Sequence, residues 1–273
     1  MKRSRPTPGR PRDAAPHGTS GGKREQPART DAAVERIHGF RAGLAVLTTR
    51  PQDVIRVACV REILEEVEGA FGEHADDVGI GVLSDHEVER LASSKQHEGL
   101  VLEARARRWA TPQELGDVLE KSRGVAIALD RVRNSYNIGA VLRSAAFFGI
   151  DAAVLGAPAP HPGLDPNALR VAEGGVEHLV MSRTTDLADT LTRLRARGVK
   201  VFGADGHADA DALGFDFGRP AVLVMGNERE GLGPRVRAQC DAVVAIRGSG
   251  AVESLNVAVA AGVLVARLAA SKR

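Results

Sequence analysis

Residues 125–149 read VAIALDRVRNSYNIGAVLRSAAFFG, a pattern that changes character twice within 25 positions. The first six residues are almost wholly apolar and end at the carboxylate of Asp130, which predicts a buried strand. After a polar turn, apolar residues recur at helical spacing from Asn137 onward, and Asn137 suits the N-cap because its side-chain oxygen can accept a first-turn N–H. Strand, loop and helix in this order indicate an α/β architecture.

Arg143 follows Gly139 by four positions, so the two residues project from the same side of the predicted helix. A guanidinium that faces a helix start, above the carboxyl end of a buried strand, is the geometry of a site for an anionic substrate. An ordinary α/β unit with a surface arginine explains the same stretch equally well. The stretch alone leaves both interpretations open.

The chain from Gly124 onward alternates short apolar runs with helical patterns. Predicted strands cover residues 125–130, 151–155, 177–181, 200–203, 221–225 and 241–246. One helix is predicted to begin at residue 137, and three more cover residues 185–197, 234–239 and 255–268. Nearly continuous apolar strands separated by helices predict a mainly parallel sheet that is covered on both faces.

Residues 31–104 predict a separate, small α/β domain suited to binding rather than to catalysis. Asp31 is the expected N-cap of a helix that ends at Arg50-Pro51. Strands are predicted at 54–60, 78–83 and 99–103, and helices at 61–69 and 85–93. A linker over 105–123 follows, with a short helix capped by Thr111. Its cluster of Arg105, Arg107 and Arg108 fits phosphate contacts and a solvated hinge equally well.

Composition and charge restrict the function. The chain has 273 residues and a net charge of +2, but residues 1–30 hold eight Lys/Arg against two acidic residues, which leaves −4 for the remainder. This Pro/Gly-rich segment is expected to be a disordered basic tail, either for contact with a polyanion or simply for solubility. Lack of a long apolar run and of a signal-peptide core predicts a cytoplasmic protein without membrane contact. A single Trp and a single Tyr exclude base stacking as the main binding mode.

Two later loops carry polar and glycine residues at the ends of apolar strands. The first runs from Met225 to Gly233 and the second from Ile246 to Asn256, where Ser254 is the expected N-cap of the last helix and Asn256 is expected at N2. Glycines in the first loop, at 226 and 231, are expected to let backbone approach a ligand closely. The second loop nearly matches a dinucleotide fingerprint, but it lacks the third small residue. The acidic and histidine residues between 205 and 211 match no standard metal site, so no metal is predicted.

Three motifs, in this order along the chain, resemble those of the SpoU (TrmH-type) RNA methyltransferases of the SPOUT superfamily. They are Asn137-x-Gly139-x-x-x-Arg143, Gly226-Asn227-Glu228-x-x-Gly231-Leu232 and Ser254-Leu255-Asn256. The resemblance covers residues 124–273. More weakly, Ile37-His38-Gly39 and His97-Glu98-Gly99 resemble fragments of the family's small ribosomal-protein-L30-like (L30e-like) domain.

The resemblance implies a deep trefoil knot at the C-terminus and a bent S-adenosylmethionine held mainly by backbone groups. The implied cofactor-binding residues are Met225, Gly226, Asn227, Gly231, Leu232, Ile246, Gly250 and Leu255. It also implies a homodimer through the last helix, although the small-residue face of that helix fits burial within one subunit as well. The implied substrate is structured RNA, either tRNA or rRNA.

The implied reaction is methyl transfer to a ribose 2′-hydroxyl. Because a guanidinium stays protonated at neutral pH, Arg143 is expected to bind a substrate phosphate and to stabilise developing alkoxide charge. Asn137 and Glu228 would position Arg143 and the loops, while Ser254 and Asn256 would orient the acceptor or hold the knot. Methylation of a base, and a catalytically silent knotted RNA-binding protein, remain as alternatives. One departure bears on the substrate: Glu173-Gly174-Gly175-Val176 stands where many members have Ser-x-Gly-Ala.

Overall fold

The N-terminal lobe is built on a four-stranded sheet. The computed structural model describes residues 34–158 and 164–270, so the predicted tail over 1–30 and the expected cap Asp31 lie outside the described residues. The strand order is β1-β4-β2-β3. The strands are β1 (Val34–His38), β2 (Val54–Cys59), β3 (Ile80–Val82) and β4 (Leu100–Arg105), and the helices are α1 (Phe40–Thr49), α2 (Leu64–Phe71), α3 (His74–Val78) and α4 (Asp85–Ala92).

The C-terminal lobe contains a seven-stranded sheet of order β7-β6-β5-β10-β8-β11-β9 in which every pairing is parallel. Its strands are β5 (Val125–Asp130), β6 (Ala152–Gly156), β7 (Val180–Thr184), β8 (Lys200–Ala204), β9 (Ala210–Asp211), β10 (Ala221–Met225) and β11 (Ala242–Ala245). Its helices are α5 (Pro112–Ser122), α6 (Ser135–Phe147), α7 (Pro166–Val171), α8 (Leu187–Ala196), α9 (Pro234–Arg237) and α10 (Val257–Ala270).

This sheet confirms the predicted parallel α/β architecture. The central strands β5, β6 and β10 are buried along their whole length, and their alternate side chains enter two separate hydrophobic clusters. The carboxyl ends of parallel strands lie at the same end of the sheet, called the carboxyl edge below. The loops that follow β5 and β10 therefore come together there.

The helix predicted from Asp31 to Arg50 is wrong over its first part. Residues 34–38 form β1, which pairs antiparallel with β4 from Val34↔Arg105 to His38↔Val101. Gly39, with φ of +103°, separates β1 from α1. A five-residue strand followed by a helix resembles one long helix in sequence, because only the pairing with a distant strand distinguishes them.

Three other boundaries also differ from the prediction. Residues 74–78 form the unpredicted helix α3, so β3 begins only at Ile80. The strand predicted at 177–181 is instead a 3-10 turn at Gly175–His178 followed by β7. The two-residue strand β9 was also not predicted, and strands this short carry too few residues for an alternation pattern.

The two L30-like fragments lie side by side. The backbone N–H of Gly39 donates to the carbonyl of His97 at 3.2 Å, and both histidines are almost fully buried. A Cβ at Gly39 would come within 2.8 Å of the Arg170 side chain on α7. The fragments therefore form the contact between the base of α1 and the C-terminal lobe.

The predicted helix after Thr111 is confirmed, with a capping box between Thr111 and Glu114. The linker ahead of it pairs with the edge strand β7: the Ala110 N–H donates to the Met181 carbonyl at 2.8 Å, and the Ser182 hydroxyl donates to the Ala110 carbonyl at 2.8 Å. The linker therefore covers one edge of the large sheet. It does not hang free between the lobes.

Arg107 differs from both expectations for the arginine cluster, because its side chain is only 7% exposed, whereas Arg105 and Arg108 are exposed. It donates to Glu35 at 2.9 Å and to Glu177 at 2.9 Å, and Arg50 pairs with the same two carboxylates at 2.7 and 3.0 Å. Burial opposes the charge on Arg107, but Glu177 and Glu35 outweigh it and raise the pKa of the guanidinium. This buried ion-pair network joins the N-terminal lobe, the linker and the C-terminal lobe.

None of the helices in the described ranges is long and apolar enough to cross a lipid bilayer.

Candidate active site

The site begins at the N-terminus of α6, where the capping residue is Asn134 and not Asn137 as predicted. The Asn134 side chain accepts a hydrogen bond from the Asn137 backbone N–H at 3.1 Å, and Asn134 has extended backbone angles. Both asparagines match the preferred residue type, and the helical periodicity does not distinguish them. Because Asn134 caps the helix, Asn137 lies in the first turn with its side-chain amide available to other loops.

Asn137 joins the three loops by its side chain. Its Nδ2 donates to Oε1 of Glu228 at 2.6 Å, and its Oδ1 accepts from Nδ2 of Asn256 at 3.1 Å. Glu228 and Asn256 lie 91 and 119 positions from Asn137, and the three residues come from the segments that follow β10, β11 and β5. The structure thus brings three of the five predicted catalytic residues together at the carboxyl edge of the sheet.

Asn256, not Ser254, caps the last helix. Its Oδ1 accepts from the backbone N–H groups of Ala258 at 2.9 Å and Val259 at 3.4 Å, and α10 begins at Val257. The amide of Asn256 therefore acts twice, with its oxygen capping α10 and its nitrogen bonding to Asn137. Ser254, two residues before Asn256, is exposed. In the part of the chain that the structure describes, it takes no part in the hydrogen bonds that join Asn137, Glu228 and Asn256. A serine two residues before an asparagine offers two possible caps, and only the backbone path decides between them.

The loop after β10 folds back on itself. Asn227 and Gly231 exchange backbone hydrogen bonds of 3.1 and 2.9 Å. A Cβ at Gly226 would lie 2.3 Å from the carbonyl carbon of Gly231, so the space beside Gly226 is filled by the loop's own backbone. The loop's own backbone therefore requires a glycine at 226, while close approach of a ligand to Gly226 stays a prediction. Gly231, with φ of +64°, has open space around it.

Asp130 and Arg131 fix that loop from the end of β5, a role the sequence analysis missed. Asp130 is 3% exposed and accepts from the Gly233 N–H at 2.6 Å. Arg131 donates to the Gly231 carbonyl at 2.9 Å, while its own carbonyl accepts from the Asn227 amide at 3.1 Å. The carboxylate at the end of an apolar strand was the available signal. Its partner could not be identified from spacing.

The remaining predicted cofactor residues fall into two groups. Met225 is buried in one hydrophobic cluster and Leu232 in the other, so both anchor the loop after β10 to the core. Ile246 is half-buried, and residues 247–256, including Gly250 and Leu255, are all exposed. This second loop exposes backbone groups and the side chains of Val252 and Leu255, and Asn256 at its end bonds to Asn137.

Arg143 does not join that hydrogen-bonded group. Its side chain is 52% exposed, and its Nη1 donates to Oε1 of Glu173 at 2.7 Å. Arg41 of α1 contacts the other oxygen of Glu173 at 3.2 Å. Among the described residues, no ion pair joins Arg143 to Glu228, and the positioning of Arg143 by Asn137 and Glu228 stays a prediction.

The acidic loop after β8 is held by the protein's own groups. Asp205 pairs with Arg237 and accepts from the His207 N–H at 2.9 Å, and that backbone hydrogen bond lowers the pKa of Asp205. Over the two described ranges, no group of three or more metal-ligating side chains is placed to hold an ion.

Comparison with known proteins shows which family this chain resembles. Residues 124–266 match the model of the SpoU rRNA methylase family. An uncharacterized tRNA/rRNA methyltransferase of Mycobacterium sp. (strain KMS) is 33% identical over 267 residues, covering 95% of this chain and 84% of the relative. A protein of the same description from Mycolicibacterium vanbaalenii is 34% identical over 206 residues, covering 73% of this chain and 64% of the relative.

The fold is also that of a solved structure. The SpoU methyltransferase AviRb of Streptomyces viridochromogenes, determined in complex with AdoMet, superposes with a TM-score of 0.70 at 23% identity, covering 92% of this chain and 94% of AviRb. Because the matching family model extends over all seven strands of the large sheet, the chain belongs to the SpoU rRNA methylase family.

Proposed function

We propose that this protein transfers the methyl group of S-adenosylmethionine to a ribose 2′-hydroxyl of structured RNA, tRNA or rRNA. The observation that carries the proposal is the hydrogen-bonded series Glu228–Asn137–Asn256, which ties three loops together at the carboxyl edge of the parallel sheet. That edge is where α/β proteins bind their ligands. Membership of an RNA methylase family supports the reaction class.

The residues around this edge suit the cofactor. Leu255 and Val252 offer exposed apolar surface for the adenosine part, and the exposed backbone of residues 247–256 offers hydrogen-bonding groups. The Glu228 carboxylate, linked through Asn137 to Asn256, would serve as a counter-charge for a sulfonium. When bound, the cofactor supplies an electrophilic methyl group.

The acceptor hydroxyl has to lose its proton as it attacks, and the chain's own groups would manage the resulting charge. A protonated guanidinium stabilises a developing alkoxide and binds a neighbouring phosphate. Arg143 is suited to this role, since Glu173 occupies only one of its donor nitrogens and the side chain is half exposed. Asn137 and Asn256 hold the loops at a fixed separation.

We further propose that the protein acts in the cytoplasm as a homodimer and that its C-terminal segment forms the trefoil knot. Exposed apolar side chains on two packed helices support the dimer: Phe147 at the end of α6 is 82% exposed and Val259 on α10 is 54% exposed. The helices contact each other near Ser144 and Gly262. Arg143 precedes Phe147 by one turn of α6, so a second subunit placed on this surface would lie near Arg143.

The test is nucleoside analysis of RNA after incubation with the protein and isotope-labelled S-adenosylmethionine. Label is expected on ribose 2′-oxygens, and Arg143→Ala should abolish it while calorimetry still detects cofactor binding. Arg193→Ala, on the exposed surface of α8, is the matched control and should keep full activity. Label on a base would refute the ribose assignment, and absence of both label and cofactor binding would refute the enzyme.

A further inference from the structure

The turn Glu173-Gly174-Gly175 lies wedged between the two lobes. A Cβ at Gly174 would come within 2.3 Å of the Ala45 Cβ on α1, and a Cβ at Gly175 would come within 3.1 Å of the Arg143 Cα on α6. Only glycine fits such close approaches from both sides. The turn therefore places the preceding residue, Glu173, between a helix of the N-terminal lobe and the helix that carries the motif arginine.

Glu173 is held there in a backbone conformation that suits few side chains. Its φ is +46°, in the left-handed region that glutamate seldom adopts. Its two carboxylate oxygens bind different arginines: Oε1 accepts from Arg143 at 2.7 Å and Oε2 accepts from Arg41 at 3.2 Å. A strained residue whose side chain bridges two cations indicates a function for the side chain.

We propose that Glu173 is a positioning residue for Arg143, and that through Arg41 it couples the N-terminal lobe to the reacting end of α6. The proposal rests on the proposed function, since it assigns Arg143 its orientation in that reaction. One carboxylate between two guanidiniums leaves one net positive charge at the lobe junction. That charge suits an RNA phosphate, which would contact the donors of Arg143 that Glu173 leaves free.

Serine, which stands at this position in the motif pattern that the chain resembles, could not make the same bridge. A serine hydroxyl has one oxygen on a single carbon, whereas the glutamate side chain presents two charged oxygens to two guanidiniums. The structure thereby gives the sequence departure at Glu173 a physical role. That role is to control the arginine, not the cofactor.

The three side chains are partly exposed, at 31% for Glu173, 52% for Arg143 and 70% for Arg41. Exposed ion pairs of this kind contribute little to folding. Substitution should therefore leave the melting temperature nearly unchanged and alter only the orientation of Arg143.

The test uses the full-length protein and the variants Glu173→Gln and Arg41→Ala. Phenylglyoxal modifies guanidiniums that are not held in ion pairs, and mass spectrometry follows its rate at each arginine. Because one exposed ion pair is lost, Glu173→Gln should raise the rate at Arg143 about two- to fivefold. Arg193, which pairs with Asp189 on α8, serves as the internal reference and should not change.

The same variants are assayed for methyl transfer to RNA. Glu173→Gln should lower kcat about two- to fivefold without changing the KM for the cofactor, and Arg41→Ala should change kcat less. An unchanged rate of Arg143 modification in Glu173→Gln would overturn the proposal, as would an effect confined to the cofactor KM. If the wild-type protein transfers no methyl group, the proposed function fails, while the modification rates alone still decide whether Glu173 holds Arg143.

Discussion

Removing the Glu177 carboxylate should destabilise the whole protein, because it breaks the buried ion-pair network between the lobes. The Glu177 side chain is 6% exposed, and its two oxygens accept from Arg50 at 3.0 Å and Arg107 at 2.9 Å. Glu35 supplies the second carboxylate, so the four charges balance. Glu177→Ala would leave the two buried guanidiniums with Glu35 alone at hydrogen-bonding distance, since Asp53 lies 3.9 Å from Arg50.

The expected loss follows from the burial. Removing one partner of a buried ion pair costs about 3–5 kcal/mol, because the remaining charge stays desolvated without compensation. A cavity of about 170 Å³ borders Arg107 and Glu177, so water can reach the uncompensated charge. The lower end of that range, about 3 kcal/mol, is therefore expected, which for a protein of this size lowers the melting temperature by roughly 6–12 °C.

The assay is urea and thermal unfolding followed by circular dichroism, with Arg193→Ala as the matched control. The Arg193–Asp189 pair is an ion pair of similar length, but its side chains are 66% and 53% exposed, so its loss should cost less than about 0.5 kcal/mol. Replacing both Arg107 and Glu177 by methionine should cost less than the sum of the single changes, since no charge is then left alone.

Equal stability of Glu177→Ala and Arg193→Ala would refute this account of the network. It would mean that solvent, and not the partner carboxylate, compensates the charge of Arg107.

Three further predictions concern the site and its supports. Asn256→Asp keeps the oxygen that caps α10 but loses the N–H donor to Asn137. Thermal stability should therefore stay near the wild-type value, while methyl transfer falls. Equal activity would contradict the role of that hydrogen bond. Gly226→Ala should abolish cofactor binding in calorimetry, because its Cβ would lie 2.3 Å from loop backbone. The control Gly69→Ala, on α2, meets open space and should bind normally, and binding by both variants would show that the loop adapts. Hydrogen bonds from the Thr111 backbone N–H and then from the Arg108 guanidinium lower the pKa of Glu114 to about 2. The stabilisation of α5 by Glu114 is therefore present above about pH 4.5 and is lost as the pH falls toward 2. Acid titration of Glu114→Gln should lack this component, and identical acid profiles would exclude it.

The sequence predicted the C-terminal lobe well because its signals are local. Continuous apolar runs mark β5 and β10 within one residue, and the capping box at Thr111 marks the start of α5 correctly. Where two local solutions compete, the sequence did not choose. Asn134 and Asn137 are both good helix caps, as are Ser254 and Asn256, and the difference lies in the path of the backbone.

Features that depend on distant partners could not be predicted. The strand β1 exists because residues 34–38 pair with β4, some 67 positions away. The burial of Arg107 and the bridge from Glu173 to Arg143 and Arg41 depend on how the two lobes meet. The sequence identified Glu173 as a departure, but only the structure shows which arginines it contacts.

The pairing of the linker with β7 has a consequence for dissecting this protein. A fragment that begins at Gly124 would retain every strand of the large sheet, yet it would lose Ala110 and with it the hydrogen bonds to Met181 and Ser182. An uncovered β7 would present a free row of peptide groups to any passing chain, and such edges recruit further strands into insoluble assemblies. We therefore expect the C-terminal lobe to be less soluble without the linker, and expression trials should keep the linker attached.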